Sequence, residues 1–394
     1  MLSRVLGRSP GRVRARALAL GGVAVTIGVA GCAAATGTTV TATGRTLTIY
    51  SSVPAGAASN PVVQDVADAE QLAFTQKASE VSSYKLSFQQ LGSAKLSDIP
   101  RTAIQNTAAI AYIGEIVPGA SADTLGITNA QDLLQVSPTD TAVELTQPNS
   151  AVPGSPSRYY ESLKTYSRTF ARVVPTTALE AKAQVQEMQA VGVKRLDIAV
   201  DGSPYGQAIA ALVHTDASSA GITVVSSPSG ADGMFYAGAD QAAAARTFTS
   251  AAGSNPSLKL FGPSALDGPA LTTGLTSGKP NLYISVPGLL SKDLSPAAQK
   301  FVSDFRAAYH RSPLPEAIFG YEAVASVIDV LKEAGGSANN RSTVVRDFFA
   351  IKDRPSILGS YSINVNGDTS LGPFVFERLR AGALVPFKFV QAQG

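Results

Sequence analysis

Residues 177–200, TALEAKAQVQEMQAVGVKRLDIAV, read as a helix, a turn and a strand. Thr176 or Thr177 suits the N-cap, Glu180 falls in the first turn, and Gly192 closes the helix. The run 195–200 is then a strand. The same alternation continues downstream, with a helix over 206–219 ended by Gly221 and strands over 222–226 and 234–237. A helix over 240–252 and a strand over 258–261 follow. Upstream lies an earlier series: a strand at 47–51 (LTIYS), a helix over 62–77 and a strand at 84–88. Residues 108–116 (AAIAYIGEI) follow as a continuous apolar run. An unbroken apolar strand is what a parallel sheet buried on both faces requires. A short helix over 121–129 and a strand at 133–136 complete the series. Strands alternating with helices imply parallel sheets with helices on both faces. Two such series imply an α/β protein of two similar lobes.

The last third differs. Long helices are expected over 295–310 and 316–334, joined through Pro313 and Pro315, with a third over 340–351 opened by Asn340 or Ser342. The segments 358–365 and 373–390 alternate and turn at Asn366-Gly367 and Ala381-Gly382. They read as antiparallel strands added to one sheet.

Residues 1–31 read as an export signal. Arg4, Arg8, Arg12, Arg14 and Arg16 precede the apolar stretch 17–30. That stretch is shorter than the ~20 apolar residues a membrane span needs, and small residues end it. Val29-Ala30-Gly31-Cys32 resembles the bacterial lipobox, which implies a lipid on Cys32, the chain's single Cys. An incidental Cys near an ordinary cleavage site is the bland alternative. Residues 32–45 are small and polar, as in a flexible tether. The formal charge is +3. The five signal arginines carry more than that, so the remainder is slightly acidic. With no basic runs, nucleic acid is excluded as a partner. One Cys permits no internal disulfide, and a chain of this length can bury a core without one.

Seven strings in order carry a family resemblance: AIAYIGE (109–115), QVSPTDT (135–141), RTFARVVPT (168–176), Tyr205-Gly206 after a strand ending in Asp201, Phe261-Gly262-Pro263, AIFGYEA (317–323) and ILGSYSINVNGDT (357–369). Together they resemble the type I periplasmic binding proteins of branched-chain amino-acid ABC transporters. The resemblance implies two Rossmann-like three-layer lobes joined by three crossovers. It places lobe 1 at 46–170 plus 288–352 and lobe 2 at 171–287 plus 353–394. Open α/β sheets bind ligands at the carboxyl ends of their strands, so the ligand is expected between the lobes.

The apolar strand runs into Val117, Pro118, Gly119, Ala120 and Ser121 before a helix. Small residues at a helix N-terminus expose backbone N–H groups, which suits an anion. In the family this loop holds the ligand carboxylate, although Pro118 stands where the family's first loop serine would. The plainer reading is a tight Pro-Gly turn with Ser121 as an N-cap. The resemblance assigns Thr139 and Thr141, flanking Asp140, to the amino-acid head group; an ordinary Ser-Pro turn is the alternative. Tyr205 matches a cleft tyrosine, or is a structural Tyr at a helix start. Two positions depart from the family: Ala239 replaces a cleft aromatic, and Ser264 replaces the acid that pairs with the ammonium. Either Asp267 or Asp140 supplies that acid, or the ligand is a small carboxylate or neutral polar compound.

The catalytic inventory is thin. His214 and His310 are the only histidines and read as surface residues, and no hydrolase, metalloprotease or nucleotide-binding motif is present. No enzyme activity, cofactor or metal is expected. The implied protein is a monomeric solute-binding lipoprotein on the extracytoplasmic face of the cell membrane, delivering a small molecule to an ABC permease. The alternatives are a sensory receptor of the same fold without transport, or a degenerate lipoprotein without ligand.

Overall fold

Every residue of Ala109–Ile113 is fully buried, as a strand covered on both faces must be. It is the middle strand of a sheet in a computed structural model that describes residues 40–160, 168–275 and 281–393. The expected signal, Cys32 and most of the tether lie outside these residues.

The first series comprises β1 (Thr46–Pro54), α1 (Pro61–Lys77), β2 (Lys85–Ser93), α2 (Asp98–Gln105), β3 (Ala109–Ile113), α3 (Leu125–Asn129), β4 (Leu134–Ser137), α4 (Ser157–Tyr160) and β5 (Phe170–Arg172). Its strands form a sheet in the order β2-β1-β3-β4-β5, parallel throughout. Asn60 caps α1 by accepting from Val62 N at 3.1 Å, with Pro61 in the first turn.

The second series comprises α5 (Thr177–Ala190), β6 (Arg195–Val200), α6 (Pro204–Ser219), β7 (Thr223–Val225), β8 (Gly233–Ala237), α7 (Gln241–Ser254), β9 (Lys259–Gly262), α8 (Pro269–Gly274) and β10 (Asn281–Pro287). Then come α9 (Pro296–Tyr309), α10 (Ala317–Ala334), α11 (Arg341–Phe349) and strands β11 (Arg354–Ser356), β12 (Gly359–Tyr361), β13 (Pro373–Arg380) and β14 (Ala383–Gln391). The second sheet runs β14-β13-β10-β9-β8-β6-β7. Its five inner and far-edge strands pair parallel, whereas β13 and β14 are the antiparallel addition. Both sheets repeat one winding order, so each has a switch point, between β1 and β3 and between β6 and β8. Loops diverge there and leave a crevice.

The chain passes between the sheets three times, after β5, after β10 and before β13. Helices α9 to α11 pack on the first sheet through Phe301, Phe305, Phe319 and Phe348. The sequence expectation for 358–365 needs revision. This segment joins neither main sheet; β11 and β12 form their own hairpin, and Tyr361 and Ile363 sink into the first core. Alternation marks a half-buried strand but does not name its partner. Residues 121–129 also divide, into a 3-10 turn at Ala120–Asp123 and then α3. Among the described residues, no helix is long and apolar enough to cross a membrane.

The contact between α1 and α10 depends on one missing side chain. A Cβ on Gly320 would run into the backbone carbonyl of Val66, whereas one on Gly253, near the end of α7, would meet open space. Gly320→Ala should therefore lower the unfolding free energy by about 1–3 kcal/mol through overpacking. Gly253→Ala should leave it unchanged or raise it by up to about 1 kcal/mol. Urea melts of the two variants check this. Equal stabilities would show that the helices do not meet at Gly320.

Candidate functional site

The loop after β3 meets a carboxylate of the protein itself. Asp140, buried after β4, accepts from Gly119 N at 2.6 Å through Oδ1 and from Ser121 N at 2.9 Å through Oδ2. Oδ1 also accepts from Ala142 N at 3.1 Å. These loop donors were the ones the sequence offered to a ligand carboxylate. Gly119 adopts φ 84°, a left-handed conformation that favours glycine. The Ser121 hydroxyl accepts from Glu115 N at 3.0 Å and is buried. Thr139 donates its hydroxyl to Ile116 O, and Ser137 Oγ accepts from Asp140 N at 2.8 Å. Pro118 and Ala120 complete the turn. So Thr139, Asp140 and Ser121 all stitch one loop to the next.

Thr141 is different. It is fully buried, and its hydroxyl has no hydrogen-bond partner. Second-lobe atoms that share that condition include the Tyr205 hydroxyl, Glu180 Oε2, Ser264 Oγ and Gln184 Oε1. Tyr205 stands in the first turn of α6, which Ser203 caps by accepting from Gly206 N at 2.9 Å. A Cβ on Gly119 would lie 3.2 Å from Tyr205 Cβ, so the loop and Tyr205 close against each other. Glu180 points from the first turn of α5. Its Oε1 accepts from Ser264 N at 2.6 Å and from Ser285 Oγ at 2.8 Å, while Oε2 is left over. Burial pushes the Glu180 carboxyl up to about 7, against the opposing pull of the Ser264 N–H and the Ser285, Ser264 and Thr141 hydroxyls. The hydroxyls of Thr141 and Ser264 thus lie close to the Glu180 carboxyl. Thr141 acts likewise on Tyr205, whose hydroxyl burial holds well above its usual range.

The remaining candidates fall nearby. Ala239 is tied down, its N–H donating to Asp201 Oδ2 at 2.9 Å. Asp267 borders a cavity of about 50 Å³ together with Ser264, Glu316, Gln241, Pro118 and Thr139. Asp267 and Glu316 lie close enough to act on each other, and burial pushes Asp267 up to about 6 and Glu316 well above the carboxylate range. Glu316 Oε2 has no partner. Sequence reasoning missed Glu180 and Glu316. Each sits at a helix start, where an acid reads as a partner of the helix dipole; only the packing of other elements around them shows their burial. Among the described residues, no cluster of His, Cys, Asp and Glu could hold a metal ion.

No protein-family model and no curated protein matches the chain. Solved structures do. A leucine-binding protein from Thermotoga maritima superposes with TM-score 0.72 at 17% identity, covering 88% of this chain and 99% of that one. An ABC transporter substrate-binding protein from Desulfitobacterium hafniense, in complex with Leu, gives 0.71 at 18% identity, covering 87% and 100%. A solute-binding protein of an ABC transporter from R. palustris, in complex with benzoate, gives 0.66 at 15% identity, covering 88% and 97%. The likeness establishes the fold: two α/β lobes of the type I periplasmic binding protein kind.

The buried acids predict an acid-shifted stability profile. Burial pushes Glu70 up to about 8 and Glu115, Glu144 and Glu180 up to about 7. Between the ordinary glutamate value and these values, the folded chain holds protons that the unfolded chain has released. Stability from these groups is therefore full below about pH 4.5 and is lost as pH rises towards 8. Each such group steepens the decline by at most about 1.4 kcal/mol per pH unit. Denaturation curves from pH 5 to 8 should show the fall, and Glu180→Gln should flatten it. A profile rising from pH 5 to 8 would contradict the burial of these carboxyls in protonated form.

Proposed function

We propose that this chain is the extracytoplasmic solute-binding component of an ABC importer, which captures a small molecule between its lobes and presents it to a permease. The observation that carries this reading is the meeting of unpartnered buried polar atoms from both lobes: Thr141 from the first; Glu180, Tyr205 and Ser264 from the second. A buried polar group without a partner costs free energy. A cleft with four such atoms is incomplete until a solute supplies their hydrogen bonds. They lie after β4, β6 and β9 and at the start of α5, where open α/β sheets bind ligands. The bound leucine and benzoate of the compared proteins accord with a cleft of this fold adapting to several small solutes. The reading is of a binding protein and not of an enzyme.

In this reading lobe 1 (46–170 plus 288–352) and lobe 2 (171–287 plus 353–394) open and close about the three crossovers. The hairpin of β11 and β12 is an exception to these bounds and travels with lobe 1, since Leu358 and Tyr361 pack in that core. Small-angle scattering of the protein with a solute found by a thermal-shift screen should show a smaller radius of gyration than without it. A solute bound at the cleft that leaves the profile unchanged would refute the hinge.

The reading also places a lipid on Cys32, holding a monomer at the membrane. Expressed in a bacterium with a fatty-acid probe, the wild type should be labelled and recovered with membranes, and Cys32→Ser should be neither. Equal labelling of the two would refute the anchor.

A further inference from the structure

We infer that the cleft takes a small organic cation bearing a primary ammonium and lacking a carboxylate, with Glu180 as the acid that receives it. The inference rests on the solute-binding reading above and names the chemistry of its solute. Two sets of observations support it independently.

The first concerns what a carboxylate would need. Its donors would be the backbone N–H groups of the loop after β3, and the N–H groups of Gly119 and Ser121 already serve the Asp140 carboxylate. An incoming carboxylate would have to displace a buried negative charge from its hydrogen bonds. Arg172, the buried cation of this region, is no substitute. Its guanidinium pairs with Asp368 at 3.0 Å and donates to Asp140 O at 2.7 Å and to Thr146 Oγ1 at 3.1 Å.

The second concerns what the cleft lacks. Glu180 is fully buried, and the strongest influences on it are burial, one backbone N–H and hydroxyls, none of them a lysine or arginine. Its Oε2 has no partner, the hydroxyls of Thr141 and Ser264 lie close to its carboxyl, and Tyr205 lies close to Thr141. An ammonium carries three donors and no acceptor. Placed among these atoms it would satisfy Oε2 and the nearby hydroxyl oxygens, and hold in charged form a carboxyl that burial otherwise pushes up to about 7. A neutral solute would leave that carboxyl to take up a proton, and an anion would oppose its ionisation. Asp267 and Glu316 border the adjoining cavity with Ser264, so the same wall is acidic there too. The acid that Ser264 does not supply thus comes from another element, α5, and reaches the Ser264 backbone directly at 2.6 Å.

Three compounds that differ only in their charged groups test this by calorimetry on the purified protein: leucine, 3-methylbutylamine (leucine without its carboxylate) and 4-methylpentanoate (leucine without its ammonium). The amine should bind at least tenfold more tightly than either of the others. Glu180→Gln, which keeps an acceptor for Ser264 N, should weaken amine binding by on the order of ten- to a hundredfold. Tighter binding of leucine or of the carboxylate would overturn the inference while leaving the solute-binding reading in place. Unchanged amine affinity in Glu180→Gln would overturn the role of Glu180. No binding of any of the three would also overturn the inference, and lobe closure with other solutes would then judge the broader reading separately. The wild-type ranking needs no variant, so a Glu180→Gln chain that fails to fold does not shield the proposal.

Discussion

The carboxylate of Asp140 organises the cleft side of the first lobe. It receives the N–H groups of Gly119, Ser121 and Ala142, its own N–H is held by Ser137 Oγ, and its carbonyl receives Arg172. Hydrogen bonds to a charged acceptor are roughly twice as strong as neutral ones. The Asp140 side chain fixes the loops after β3 and β4 to each other, and its backbone carbonyl ties them to Arg172 on β5. The order of the loops decides what the cleft can bind, since donors held by a protein carboxylate are not available to a solute.

Arg172 extends this arrangement to the third crossover. Its ion pair with Asp368 is buried on both sides. Asp368 also accepts from Thr146 at 2.8 Å through Oδ1 and from Gln147 at 2.7 Å through Oδ2. A buried pair breaks even against desolvation only when its hydrogen bonds are complete in this way. The backbone of Gly367 joins in by accepting from Arg172 N at 2.9 Å, and its φ of 90° suits only glycine well; a Cβ there would strike the carbonyl of Phe170. The crossover before β13 is therefore seated on the first sheet, which explains why the β11–β12 hairpin belongs with that core.

The second lobe presents a contrasting surface. The first lobe commits its loop donors to Asp140, whereas α5, α6 and the end of β9 bring forward a carboxylate and two hydroxyls with oxygens that have no hydrogen-bond partner. Tyr205 also closes on Gly119, and the apolar contacts of Leu125, Ala142 and Phe170 with Tyr205 and Ile209 continue across from one sheet to the other. Apolar contact draws the lobes together, and polar atoms without hydrogen-bond partners lie near that contact.

The sequence by itself determined the class of fold, because its signals are local. Period, caps and continuous apolar runs at 108–116, 177–200 and 234–237 are read within one element. They defined two parallel α/β series, and Asn340 caps α11 as expected, whereas Thr176 opens α5 without a side-chain cap bond and the Thr177 hydroxyl instead accepts from Val143 N. It also brought attention to Thr141, Tyr205 and Ser264, whose hydroxyls the structure leaves unpartnered. Only the tertiary structure decided which acid stands beside them. Glu180 lies 84 positions from the Ser264 N–H it receives and 105 from the Ser285 hydroxyl. Asp140 spends its charge on Gly119, 21 positions away. A carboxylate's role is set by which donors reach it and how much water it loses, and both depend on elements distant in the chain that local pattern does not encode.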